Sequence, residues 1–351
     1  MKFIKKTILP VLACCIIAMI LTNSDKTIEY MKMSLGICGN IIIPTLFPFF
    51  ICSGILIYSG FCETVSRLFR FCMRPLFGVN PMGAAAFVMG IISGYPLGAV
   101  TAGQLYESSY ISKTEAERLC SFCNNSGPLF VIGSVGAAVY GNIRVGVILY
   151  VIHILSALTV GICFRFYKHS DYIAPDTEMT YPERSAGEII SIALKNAVSN
   201  MLTVCGAVIF FGTVGRMTVD LLPVEGVIYS LAAGLIEFVN GTVSTAGLNI
   251  DINSRLVMTA FIIGFGGLSV HAQVVAVIAK YRLSLIPYFL GMLLHGVFAA
   301  IYTFLYLFLC PYSVTVFAPA ADRAVSASAF CVLAAAAAAV ITGLIFYRTE
   351  K

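Results

Sequence analysis

The fold class this sequence predicts is an all-α polytopic membrane protein of two related halves, each carrying broken or re-entrant helices. Three observations carry that reading. Apolar runs of about 18 or more residues recur along the whole chain. Four apolar segments are interrupted by glycine, proline or polar residues. A polar stretch, Lys168–Glu188, separates two halves whose segments come in the same order.

The chain has 351 residues, 59% of them hydrophobic and only 11% charged. A soluble domain carries about 25% charged residues. Clear membrane candidates are Val145–Phe166, Ser284–Cys310 and Ala324–Phe346. The net charge of +5 is modest and its carriers flank apolar runs. That names the lipid bilayer as a partner and leaves no patch for nucleic acid.

The first element, residues 1–33, begins MKFIKKTILPVLACCIIAMILT. No small-x-small cleavage site follows, so it reads as an uncleaved membrane helix and a short loop. Lys2, Lys5 and Lys6, then Arg67, Arg70 and Arg74, then Lys280 and Arg282, then Arg348 and Lys351 mark cytoplasmic ends. Both termini are therefore expected in the cytoplasm. Twelve cysteines are scattered through apolar segments, where they act as small hydrophobes. Cys120-x-x-Cys123 has no second pair, and no metal site is expected.

Residues 34–167 and 189–310 form the two halves, 168–188 is a loop, and 311–351 supplies a last membrane helix. Each half opens on a membrane helix: Ile37–Tyr58, broken by Pro44 and Pro48, and Ala193–Val214. Next come interrupted segments. Gly90–Ala99 reads GIISGYPLGA and Gly234–Val243 reads GLIEFVNGTV. SGPLFVIG from Ser126 is answered by FGGLSVHAQ from Phe265. Aligning Ser93 with Glu237 gives an offset of 144 residues, and Gly127 with Gly266 gives 139. A continuous helix carrying His153 or His295 closes each half. Within the first half, Ser112-x-x-Glu115 is a capping-box pattern inside Gln104–Leu119, a piece too polar for lipid.

Broken backbone survives at membrane depth only inside protein or beside a watery cavity. Matching interruptions in two repeats point to a transport site. The four interruptions supply Ser93, Tyr95, Asn124, Asn125, Ser126, Glu237, Asn240, Thr242, Ser269, His271 and Gln273. These groups suit a small polar organic substrate. Pro96 and Pro128 remove backbone donors, and Gly94, Gly127, Gly266 and Gly267 supply flexible backbone. Close helix packing is the competing account of the glycines. Glu237 is the expected ion-coupling residue, for Na⁺ or H⁺, because an acidic group in a membrane segment is costly. No other cofactor is expected. No GxxxxGK[ST], GxSxG or HExxH is present, which leaves neither an ATPase nor an enzyme reading for Ser126 and His271.

The segments PTLFPFF, SGYPLGA, NNSGPLFVIG, GLIEFVNG and GFGGLSVHAQ together resemble the YlbJ family of sporulation integral membrane proteins, within the wider nucleoside-recognition or Gate group. The resemblance runs from about Gly36 to about Ala300. It implies two inverted-topology repeats with re-entrant or broken helical hairpins, an arrangement similar to concentrative nucleoside transporters. It further implies endospore formation and movement of dipicolinic acid, an anion, across the mother-cell-derived outer forespore membrane. Carried over by motif, the substrate pocket is Ser93, Gly94, Tyr95, Pro96, Asn124, Asn125, Ser126, Gly127, Asn240, Gly267, Ser269, His271 and Gln273, with Glu237 beside it. A Gate-type transporter of a nucleoside-like solute and a non-transporting sporulation scaffold are the alternatives. No interface signal argues for or against a homo-oligomer.

Overall fold

The computed structural model describes residues 7–168 and 184–310. The N-terminal lysines, most of the mid-chain polar stretch, and everything expected beyond residue 310 lie outside the described residues. Among those residues there is no strand. The helices are α1 (Leu9–Thr22), α2 (Ser24–Ile37), α3 (Ile43–Tyr58), α4 (Phe61–Cys72), α5 (Ala84–Ser93), α6 (Leu97–Glu107), α7 (Lys113–Cys120), a π-helix (Leu129–Val139) and α8 (Ile143–Phe164). The second half has α9 (Ala186–Asp220), α10 (Gly226–Ile236), α11 (Phe238–Ala246), α12 (Ile252–Phe265), α13 (Gly267–Ile278) and α14 (Ile286–Leu309).

Four described spans are long and apolar enough to cross a membrane: α8, α9, α14, and α12 with α13 from Ile252 to Ala276. α1 and α2 form a pair bent by 101°. The spans are sided as membrane helices are. α14 buries Gly291, His295, Gly296 and Thr303 and exposes Leu293, Ile301, Phe304 and Phe308. The small and polar residues face protein, together with Tyr288, Met292 and Leu307, and the outward face is large and apolar, as a lipid-facing side is.

α9 begins earlier than the sequence reading placed it. Ser185 accepts from the Glu188 N–H, and the Glu188 carboxylate accepts from the Ser185 N–H. This reciprocal capping box starts the helix inside the stretch read as loop.

Two pairs of short helices are hairpins. Eight residues of straight helix span about 12 Å, yet a Cβ placed on Gly90 would lie 3.5 Å from the Gly98 Cα. The chain therefore folds back between α5 and α6. In the second half, a Cβ on Gly241 would collide with the Gly234 backbone, so α10 and α11 fold back as well. α14 serves as a ruler for their directions. The open end of α5–α6 lies by the Tyr281 ring, just before α14 begins, where it meets Gly103. The open end of α10–α11 lies by the last turns of α14, where Val227 shares a groove with Phe304 and Phe308.

Of the polar piece Gln104–Leu119, the stretch Thr114–Leu119 is buried in protein, while Gln104, Glu107, Ser108, Ser109 and Lys113 are exposed. The capping box at Ser112 and Glu115 opens α7 as its spacing predicts. Glu117 accepts from Lys168 Nζ at 3.0 Å, Tyr167 OH at 3.1 Å and the Ser284 N–H at 2.9 Å. This partnership holds the Lys168 ammonium above its ordinary pKa. Arg118 donates to the carbonyls of Gly78, Tyr167 and Lys168. α7 thus clasps three loops at one end of the molecule.

Candidate functional site

The first hairpin turns at Ser93–Pro96. Gly94 has φ +79°, and a Cβ on it would lie 3.0 Å from the Gly127 nitrogen. The break of the first half therefore abuts the turn of its own hairpin. The second half repeats the arrangement. Gly267 has φ +72°, and a Cβ on it would lie 2.9 Å from the Gly234 carbonyl and 3.2 Å from the Phe238 nitrogen. Both positions need a glycine's backbone and its lack of bulk.

Hydrogen bonds divide the candidate residues into two groups. One group holds broken backbone. Asn124 Oδ1 accepts from the Ala99 N–H at 3.1 Å, and its Nδ2 donates to the Cys120 carbonyl at 3.0 Å. It caps the first turn of α6, which has no cap of its own. The Ser126 N–H donates to His153 Nε2 at 2.9 Å, and the Ser126 hydroxyl donates to Tyr95 OH at 2.9 Å. Glu237 is the N-cap of α11: its two oxygens accept from the N–H groups of Val239 at 3.1 Å and Asn240 at 2.7 Å. Pro96 precedes the first residue of α6. Asn125 Nδ2 donates to the Phe122 carbonyl at 3.0 Å.

The other group is buried and unspent. Ser93 Oγ, Asn125 Oδ1, Asn240 Nδ2, Ser269 Oγ, His271 Nε2 and Gln273 Oε1 have no hydrogen-bond partner among the described residues. Thr242 Oγ1 is in the same condition. Buried polar atoms are paired in most proteins, and each orphan costs about 1–3 kcal/mol.

A narrow cavity of about 30 Å³ lies where the two hairpin turns meet, room for about one water. Of the sequence-derived candidates, Ser93, Gly94, Tyr95, Ser126, Gly127 and Gln273 line it. Its other walls are apolar: Phe130 and Phe238 with Ile42 just before α3, Leu46 of α3, and Val204 and Val208 of α9. Phe238 packs its ring 4.9 Å from Phe130 and 5.4 Å from Tyr95. Asn124, Asn125, Glu237, Asn240, Gly267 and Ser269 do not line the cavity. His271 points elsewhere: its Nδ1 meets Tyr288 OH at 2.8 Å and its ring abuts Phe265 at 4.7 Å.

The closing helices meet through their histidines. The rings of His153 and His295 are 4.3 Å apart, and His295 Nε2 is 2.9 Å from the His153 carbonyl. A carbonyl only accepts, so Nε2 of His295 carries its proton. His153 Nε2 receives the Ser126 N–H, so the proton of a neutral His153 sits on Nδ1.

The reading from sequence passed over Arg216. It lies in α9 and donates through Nη2 to Asn240 Oδ1 at 2.6 Å. A lone arginine in an apolar helix was the available signal. The apolar walls had no local signal, because Val204 or Phe130 resembles any lipid-facing neighbour.

Residues 41–143 match the Gate family, described as nucleoside recognition. The sporulation integral membrane protein YlbJ of Bacillus subtilis (strain 168) is 30% identical over 324 residues, covering 82% of this chain and 79% of that protein. No solved structure matches the chain.

Proposed function

The chain belongs to the YlbJ family of sporulation integral membrane proteins, and on that premise we propose that it is a secondary transporter of a small organic anion. The observation that carries this reading is the pair Ser93 Oγ and Gln273 Oε1. Both are buried, both lack a partner among the described residues, and both lie on the cavity between the hairpin turns. A scaffold gains nothing from leaving such atoms unpaired, whereas a solute with polar groups satisfies them.

Dipicolinate, crossing the outer forespore membrane, is the proposed solute. Its flat ring suits the aromatic walls of Tyr95, Phe130 and Phe238. Its carboxylates suit hydroxyl, amide and broken-helix N–H groups. A cavity of about 30 Å³ is far smaller than such a solute, so loading requires the hairpins to part. In this reading α5–α6 and α10–α11 are re-entrant hairpins of two inverted-topology repeats, as in concentrative nucleoside transporters. Their open ends at opposite ends of α14 support that. So does the contact between the histidines that close the two halves, His153 with His295. Residues astride a two-fold axis touch their equivalents. Glu237 couples flux to H⁺ or Na⁺, and the loops clasped by α7 face the cytoplasm with both termini.

The Gate match over residues 41–143 favours a second solute class, a nucleoside. One experiment separates the two: uptake of labelled dipicolinate into proteoliposomes, with excess uridine as competitor. Saturable uptake that uridine ignores, and that Ser93→Ala with Gln273→Leu abolishes in correctly inserted protein, supports the anion reading. Competition by uridine transfers the site to nucleosides. Absence of uptake from folded protein sinks both.

A further inference from the structure

A second polar cluster lies outside the cavity lining, between α2, α9 and α11. Val204 and Val208 of α9 line the cavity. Gly212 and Arg216 follow at successive four-residue steps, which places Arg216 about 12 Å beyond Val208 along the helix. The lack of a side chain at Gly212 lets Ser34 and Asn240 pack close against α9 there. A Cβ on Gly212 would stand 2.7 Å from Ser34 Oγ and 3.0 Å from Asn240 Nδ2. Both residues are buried, at 1% and 4% exposure, and neither atom has a partner among the described residues. The two donors are therefore close enough for one oxygen to accept from both.

Arg216 stands beside Asn240, half-buried, and makes no ion pair among the described residues. Nη2 donates to Asn240 Oδ1 at 2.6 Å. Nη1 rests 2.8 Å from the thioether sulphur of Met33, a weak acceptor for a charged donor. The Tyr30 ring lies 6.0 Å from the guanidinium carbon. Two carboxylates are near and both are engaged elsewhere. Asp220 receives the hydroxyls of Tyr30 and Tyr229. Glu237 caps α11. A charged fork whose second arm meets only sulphur, beside two unspent buried donors, is a set of donors without an anion.

We propose that Arg216, Asn240 and Ser34 form a binding site for a small organic carboxylate on the approach to the central cavity. The carboxylate displaces the Met33 sulphur from Nη1 and takes the Asn240 amide and Ser34 hydroxyl with its other oxygen. Asn240 keeps Arg216 in place through Oδ1. The site deepens the transport reading by giving the solute a first stop, and it rests on that reading only for the identity of its ligand.

The test is equilibrium binding, which needs no transport. The full chain is placed in phosphatidylcholine nanodiscs with labelled pyridine-2,6-dicarboxylate or its uncharged diamide as probe. A Ser93→Ala/Gln273→Leu background removes the central site. The dicarboxylate should still bind there, and binding should weaken as salt rises. Arg216→Gln should weaken it about tenfold or more, the size of one charged hydrogen bond. Ser34→Ala, a change that threatens the fold far less, should weaken it about threefold. Binding of the diamide should stay within about twofold. If uptake by the otherwise native chain is absent while this binding persists, the transport reading fails and the site stands. Unchanged dicarboxylate binding in both variants would overturn the site, as would equal loss of the diamide. Abolition of binding on adding phosphatidylglycerol would overturn it in favour of a lipid headgroup.

Discussion

Replacing Glu237 by glutamine separates its two roles, cap and coupling group. The carboxylate accepts the Val239 and Asn240 N–H groups at 3.1 and 2.7 Å, inside a site where Glu237 is 1% exposed. Glutamine keeps one acceptor oxygen and turns an NH₂ towards the other donor. One buried N–H is then unsatisfied, at about 1–3 kcal/mol. Loss of an acceptor charge at the helix start adds about 0.3–1 kcal/mol. A combined cost of about 2 kcal/mol raises local opening of the first turn of α11 about 30-fold. Hydrogen–deuterium exchange of peptides across 233–246 reads that opening directly. Glu237→Asp keeps a strong N-cap residue and should raise exchange only about threefold. Unchanged protection in Glu237→Gln would refute the capping argument. Flux that keeps its ion dependence in the same variant would refute the coupling role, whatever happens to exchange.

Three other outcomes follow from the same geometry. Gly90→Ala pushes a methyl into the Cys123 carbonyl, and because backbone opposes backbone the cost should reach about 3 kcal/mol or more; thermal stability in detergent should fall sharply, and wild-type stability would count against the close approach of α5 to the Cys123 backbone. Asn124→Leu strands the Ala99 N–H and the Cys120 carbonyl and should cost about 2–4 kcal/mol, whereas solubilised protein as stable as wild type would show those bonds to be absent. Asp251 caps α12 by accepting the Ser254 N–H at 2.9 Å, and hydrogen bonding from the Ser254 side chain, together with that N–H, holds its carboxyl below the usual carboxylate range. Its contribution is therefore present above the unfolded pKa near 4 and lost as pH falls through the lower folded value. Asp251→Ala should flatten the fall in stability between about pH 5 and pH 3, and an unaltered slope would assign the acid sensitivity elsewhere.

The legible parts of the fold were those with a local cause. Ser112 and Glu115 announced α7 because a capping box is complete within four residues. The same pattern at Ser185 and Glu188 was hidden by the prolines and charges just before it, and the loop was drawn too long. The breaks were legible as glycine, proline and amides in apolar runs. Which polar group would meet which was not, because those meetings cross the chain. Asn124 serves Ala99, His153 serves Ser126, and Arg216 serves Asn240. The burial of Glu117 and Arg118 was equally unreadable, since their partners lie on three separate loops.

The division between spent and unspent polar atoms bears on the choice between scaffold and transporter. A break in a membrane helix exposes N–H and carbonyl groups, and something must satisfy them. Asn124, Ser126 and Glu237 do that, so their presence follows from the breaks and is no argument for a solute. Had every polar side chain been used this way, a scaffold with bent helices would explain the site in full. Ser93, Asn125, Asn240, Ser269 and Gln273 are left over, each buried and each with an idle atom. Each costs stability while it is unpaired, and in the proposed transport reading a polar solute is what offsets that cost. The breaks explain why the amides are there, and the idle atoms explain why the breaks are worth keeping.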